Sequence, residues 1–250
     1  MATHRFYIPA QNWNLENLEL TGDEAHHCRD VMRCKEGDRI VVFNGEGTES
    51  ESQITSIDKQ RIGLKSLIVN QTSRPPAKLT LGQAIPKGKN MDLIIQKSTE
   101  LGASKIVPLM SERTVVQLDA SELEKKQEKW QRVAIEACKQ CGQNWLPEVS
   151  KPTTVEKFVS SANEKFRLVA AIDESSRTLK GILQEWNESN GAPPTEASLM
   201  IGPEGDFTPA EISQALNQGF APLSLGPIIL RSETAAIYAL SVVGYELMNK

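Results

Sequence analysis

The chain has 250 residues, of which 39% are hydrophobic and 24% charged, and a formal net charge of −4. A chain of this length and composition buries a core without disulfides, and no run of about eighteen apolar residues exists to span a membrane. Four cysteines do not make a disulfide framework, the first residues lack the apolar stretch of a signal peptide, and a reducing cytoplasm is the expected location.

In chain order, Arg5 to Ile8 is expected as a strand stopped by Pro9. Asp23 to Met32 is expected as a helix, Arg39 to Phe43 as a strand, and residues 48–57 and 61–69 as two more. Arg74-Pro75-Pro76 is extended and poor in donors, so it is the best linker and sets domains of 1–73 and 74–250. Strand and helix then alternate. Strands are expected at Lys78–Ile85, Lys105–Met110, Leu168–Ile172, Ser198–Ile201 and Pro222–Leu225. Helices are expected from Asn90 to Leu101, from a Ser121 capping box to Gln140, and from Thr178 to Glu188. Two more are expected, one from a Thr208-Pro209-Ala210-Glu211 box and one from Ser232 onward. Alternation of this kind implies an α/β fold with a mostly parallel sheet.

Net charge argues against indiscriminate nucleic-acid binding. Only residues 74–145 are net basic, with 12 basic and 8 acidic side chains. In an open α/β sheet, ligands bind beyond the carboxyl ends of the strands. Here those ends run into Gly202-Pro203-Glu204-Gly205-Asp206-Phe207, into Gly226-Pro227, and through Leu230-Arg231 into Ser232-Glu233-Thr234-Ala235. Glycine lets backbone approach a ligand, and proline lowers the ordering needed on binding. Such loops suit a neutral ring gripped by backbone groups. Phosphate loops are missing: no G-x-G-x-x-G follows a strand, and Gly82 to Asn90 departs from the P-loop in spacing and in its last residue.

The motifs His26-His27-Cys28-Arg29-Asp30-Val31-Met32-Arg33, Gln96-Lys97-Ser98-Thr99-Glu100-Leu101-Gly102, Ser111-Glu112-Arg113-Thr114 and Glu136 to Gln143 stand in order along the chain. With Ile201 to Phe207, Leu225-Gly226 and Leu230 to Ala235, they resemble the 16S rRNA uridine-N3 methyltransferases (uracil-1498 type), the small-subunit methyltransferase E family of the SPOUT superfamily. Met32 stands where leucine is usual in that family, and Gln143 where arginine is expected. The resemblance implies a PUA-like RNA-binding β-barrel over 1–73 and a SPOUT methyltransferase domain over 74–250 with a C-terminal trefoil knot. It also implies a homodimer with each site at the interface, S-adenosylmethionine as cofactor, no metal, and 16S rRNA in the assembled small subunit as partner.

By the same resemblance, Ile201, Gly202, Pro203, Glu204, Gly205, Leu225, Gly226, Leu230, Thr234 and Ala235 line the cofactor. Methylating N3 of uracil requires its proton to leave. Arg231 is the first choice to stabilise the developing anion, and Glu233 is either the base or a carboxylate that complements the helix dipole. Arg113 reaches substrate RNA or forms a surface ion pair. His26, Arg29 and Arg33 fall on one expected helix face, which either touches RNA phosphates or is solvated. Cys138-x-x-Cys141 lacks a second pair at zinc spacing. Two alternatives stand beside the uridine-N3 activity. One is a SPOUT enzyme acting on a tRNA ribose or guanine. The other is a ribosome-assembly factor without catalysis.

Overall fold

The computed structural model describes residues 4–88, 90–114, 120–172 and 175–248. The chain divides into two compact units, Met1–Arg74 with Ile135–Leu146 and Pro75–Ala134 with Pro147–Lys250. The division falls beside the Pro75-Pro76 linker, but residues 135–146, expected in the second domain, belong to the first unit.

In the first unit, alternating side chains build a five-stranded sheet. It contains β1 (Arg5–Tyr7), β2 (Leu18–Thr21), β3 (Arg39–Phe43), β4 (Thr48–Ile57) and β5 (Arg61–Gln71), ordered β1-β3-β4-β5-β2. The β1–β3 pair is parallel and the others are antiparallel. The inward set, including Phe6, Leu18, Leu20, Ile40, Val42, Ile54 and Ile62, forms one buried core. β2 was not expected, because four residues with two inward leucines carry too little alternation to register. It pairs only with Arg61–Leu64. Beyond that point the far half of β5 has no strand beside it on that side among the described residues, and Leu67, Ile68 and Val69 are exposed.

The expected helix over 23–32 is not one regular element. α1 (Gly22–His26) passes into a π-helical turn, His27–Val31. The wider turn shifts the angular phase, and Arg33 lies beyond it with φ +55°. His26, Arg29 and Arg33 therefore do not form the single helical face that their spacing implied.

The second unit is α/β. Its strands are β6 (Lys78–Ala84), β7 (Lys105–Met110), β8 (Glu148–Val149), β9 (Thr153–Thr154), β10 (Phe166–Ala170), β11 (Glu196–Ile201) and β12 (Ala221–Leu223). All pairs are parallel, in the order β12-β10-β11-β6-β7-β8, with β9 also on β7. The central strands are nearly continuous apolar runs, as burial on both faces demands. The helices are α2 (Asn90–Glu100), α3 (Ala120–Cys141, of which residues 135–141 belong to the first unit), α4 (Val155–Ser161), α5 (Leu179–Asn190), α6 (Pro209–Asn217) and α7 (Ser232–Met248). Asn90 and Ser121, expected as caps, already lie inside α2 and α3. α4 escaped notice, because seven residues show barely two turns of periodicity.

Thr208 caps α6 in a complete box with Glu211, as its spacing predicts. After β12 at the sheet edge, the chain runs back through residues 224–231 to α7, which packs on α2, β6 and β11. Among the described residues, no helix is long and apolar enough to cross a membrane.

Candidate active site

β10, β11 and β12 are adjacent and parallel, so their carboxyl ends open on the same edge of the sheet. A cavity of about 530 Å³ lies there. Its walls are Ala170 to Ile172 and Ser176 after β10, Ile201 to Asp206 from β11 onward, Leu223 to Leu230 from β12 onward, and Ser232 and Ala235 of α7. Of the ten residues expected to line a cofactor, nine stand in this wall: Ile201, Gly202, Pro203, Glu204, Gly205, Leu225, Gly226, Leu230 and Ala235. Thr234 is exposed and lies outside it. The stretch after β10 was missed in the sequence. Its only signal was the small pair Ala170-Ala171 at a strand end.

The β11 turn is shaped by close approach. A Cβ on Gly202 would sit 2.8 Å from Asp206 Oδ1, 3.1 Å from the Phe207 nitrogen and 3.2 Å from Asp206 Cα. Asp206 holds φ +60°, a conformation that short polar side chains tolerate best. Its Oδ1 accepts from the Phe207 N–H at 2.7 Å, and its N–H donates to the Pro203 carbonyl at 2.9 Å. In the β12 loop, Gly226 has φ +107°, which only glycine adopts without strain.

Bonds to the segments that follow β6 and β7 fasten this turn and the helix after it. Glu204 Oε1 accepts from the Lys87 N–H at 2.9 Å. Arg113 donates from Nη1 to the Gly205 carbonyl. Glu211 accepts from the Glu112 N–H at 3.0 Å while closing its own cap. Arg113, expected on substrate RNA, thus has one of its donors on the loop.

Arg231 and Glu233 flank Ser232, and neither lies in the cavity wall. Arg231 is exposed, Glu233 half-buried. Ser232 is buried: its hydroxyl donates to the Gly202 carbonyl at 2.7 Å and accepts from Gln83 Nε2 at 2.9 Å. The apolar rim is open, with Ile172 72%, Ile228 74% and Ile229 78% exposed.

The residues expected to meet RNA in the first unit are partly engaged. Asp30 takes hydrogen bonds from Arg29 and an ion pair at 2.6 Å from His26. The Arg29 hydrogen bond is the main reason the Asp30 carboxyl titrates below its usual range. Arg29 also donates to the carbonyls of Asp58 and Lys59. Arg33 is exposed.

Glu24, His27 and Glu136 present ligand atoms within 4.8 Å of one another, but the Lys139 ammonium sits among them at 2.8, 3.2 and 2.8 Å. A tethered cation therefore already occupies this cluster. Cys138 and Cys141 lie in the same unit as Cys28 and Cys34. Burial first, then Cys34, pushes the Cys28 thiol up to about 12, and burial does the same to Cys138.

Comparison with known proteins adds to this geometry. An RNA methyltransferase domain family matches residues 73–244, and an RNA methyltransferase PUA domain family matches 20–65. The chain is similar to the ribosomal RNA small subunit methyltransferase E of Bacillus subtilis, 34% identical across 97% of this chain and 96% of that one. It is similar to the Aquifex aeolicus protein of the same name, 32% identical over 96% and 98% of the two chains. A Legionella pneumophila protein solved with the bound cofactor SAM superposes with a TM-score of 0.87, at 37% identity and 98% coverage of each chain. The methyltransferase E of Neisseria gonorrhoeae, bound to S-adenosyl methionine, gives 0.83 at 30% identity and 96% coverage of each.

Proposed function

Because the chain belongs to the RNA methyltransferase family that includes the ribosomal RNA small subunit methyltransferases E, we propose that it methylates N3 of one uridine in 16S rRNA, using S-adenosylmethionine. The observation that carries this reading is the cavity formed by three adjacent strand ends, two of them glycine-bearing. Its volume of about 530 Å³ falls within the range of small-molecule sites. The absence of a Cβ at Gly202 lets the turn close tightly on Asp206 and Phe207, and the glycine- and proline-rich wall fits an adenosyl group held by main-chain N–H and C=O. When bound, the cofactor supplies a methyl group on an electrophilic sulfonium.

The chain's own residues do the rest. The glycine and proline loops hold the cofactor in a preformed cradle, and little ordering entropy is spent. Ile172, Ile228 and Ile229 exclude water from the mouth once substrate covers them. Arg231 has no partner among the described residues, so its guanidinium is available to stabilise negative charge on the uracil as N3 gives up its proton. Glu233 is placed to hold that proton or to complement the start of α7.

The first unit is the RNA-positioning module, with Arg33 and the PUA-matching segment as its contacts. His26, Arg29 and Arg113 support loops as much as they meet RNA. A C-terminal trefoil knot, implied by the family resemblance, would involve the return of the chain from β12 through 224–231 to α7. Tyr238 and Tyr245, exposed on α7, belong to the homodimer face in this reading. The enzyme works in the cytoplasm on the assembled small subunit, since an acidic chain binds naked RNA poorly.

Titration calorimetry with S-adenosylmethionine tests the cofactor, and an absence of binding leaves only an assembly factor. Mass spectrometry of small-subunit rRNA from a deletion strain tests the target. The expected result is loss of one methyl at uracil N3. Loss at a ribose instead would reject the assignment, as would faster methylation of protein-free rRNA than of assembled subunits in the case of the substrate.

A further inference from the structure

Gln83 is the last but one residue of β6 and is fully buried, at 0% exposure. A long primary amide in that place needs a reason, because the other buried residues of the strand, Leu79 to Gly82 and Ala84, are apolar or small. Its Nε2 donates to the Ala84 carbonyl at 2.8 Å and to Ser232 Oγ at 2.9 Å. Its Oε1 is buried and meets no donor among the described residues.

Valence fixes the orientation of this amide. The Gly202 carbonyl accepts from Ser232, whose hydroxyl has one proton to give. With that proton spent on Gly202, the hydroxyl can only accept from Gln83, so the NH₂ faces it. The alternative flip would face two acceptors with an acceptor and strand both. An orphaned buried acceptor is destabilising, and an apolar residue of similar volume would avoid it. Positions that violate such local rules cluster at functional sites.

We propose that Gln83 and Ser232 are positioning residues for the methyl-transfer site. They form a two-bond strut from the end of β6, through the first residue of α7, to the carbonyl of Gly202. Gly202 and Ser232 both line the cavity. The strut therefore ties the β11 turn to the first residue of α7, and it holds in place the segment that carries Arg231 and Glu233 on either side of Ser232. This inference rests on the function proposed above.

The test uses the full chain and three variants, Gln83→Met, Ser232→Ala and Ser232→Thr. Wild type comes first: failure to bind S-adenosylmethionine would sink the functional reading, and the strut's role with it. Given wild-type binding, Gln83→Met should melt no lower than wild type, because it removes the orphan acceptor at similar volume. Its affinity for S-adenosylmethionine should nevertheless fall about tenfold, with a further drop in single-turnover methylation at saturating cofactor. Ser232→Ala should show the same two losses, and Ser232→Thr, which keeps the hydroxyl, should recover most of both. Gln83→Met with wild-type affinity and rate would overturn the proposal. So would equal losses in Ser232→Thr and Ser232→Ala, or losses that track melting temperature alone.

Discussion

The clearest measure of the β11 turn is the pair Gly202→Ala and Gly205→Ala. Both add one methyl to the same loop. At Gly202 the new Cβ would meet two backbone atoms, the Phe207 nitrogen at 3.1 Å and Asp206 Cα at 3.2 Å, in addition to Asp206 Oδ1 at 2.8 Å. Backbone cannot swing aside as a side chain can. At Gly205 the nearest atom is Arg113 Cδ at 3.6 Å, an ordinary contact. Overpacking of the first kind costs about 1–3 kcal/mol. If the loop relieves it by leaving its ligand-ready shape, binding must restore that shape. At about 1.4 kcal/mol per tenfold, affinity for S-adenosylmethionine should weaken roughly 5- to 150-fold. Gly205→Ala should stay within about twofold, since no strain of that size is added. Titration calorimetry on both variants reads the difference, with thermal melts to show that each is folded. Equal affinities for the two variants, or tight binding by Gly202→Ala, would refute the cradle argument.

Glu211→Ala removes the reciprocal half of the α6 box and strips the Glu112 N–H of its acceptor. A loss of about 1–3 kcal/mol is expected in urea denaturation, and a loss under about 0.5 kcal/mol would mean that water replaces the carboxylate fully. Lys139→Met leaves Glu24 and Glu136 without their shared cation. Because Glu136 is 59% exposed, the cost should fall near about 3 kcal/mol, the low end for a broken buried pair, and Glu24→Gln in the same chain should restore part of it. The Cys28 thiol is held up at about 12, against 9.0 for an ordinary thiol. Its contribution is therefore complete below pH 9.0 and is lost as pH rises toward about 12. Melting temperature should decline across that window, and less so in Cys28→Ala; identical slopes would contradict the burial argument. Cys141 is the exposed thiol, so a neutral-pH thiol reagent should modify it first, with Cys28 and Cys138 reacting only on unfolding.

Features set by short-range chemistry could be read from the chain. The Thr208 box, the Pro75-Pro76 break, the apolar parallel strands and the glycine turns after β11 and β12 each depend on a few adjacent residues. The cavity wall was legible for that reason; Thr234, placed with the start of the last helix by the family resemblance, stands outside the wall, about 100° around α7 from Ala235. What could not be read depends on partners far along the chain. Nothing near Arg113 announces a bond to Gly205, and nothing near Glu204 announces the Lys87 N–H. The buried amide of Gln83 did leave a trace, a glutamine closing an apolar strand, but its meaning needed Ser232, which lies 149 positions away. The π-turn at 27–31 was hidden because hydrophobic spacing over five residues does not separate a π-turn from an α-turn.

The far half of β5, paired with β4 on one side only among the described residues, has a colloidal consequence. Leu67, Ile68 and Val69, 40%, 51% and 46% exposed, follow one another on a strand whose other edge meets no strand among the described residues. Such an edge templates the addition of further strands unless charge interrupts it, and Lys65 is the single charged residue in its 65–71 stretch. Concentrated stocks should scatter light progressively on gentle warming, well below the melting point. A lysine in place of Ile68 should lengthen the lag without altering the melt, because that side chain contributes little to the core.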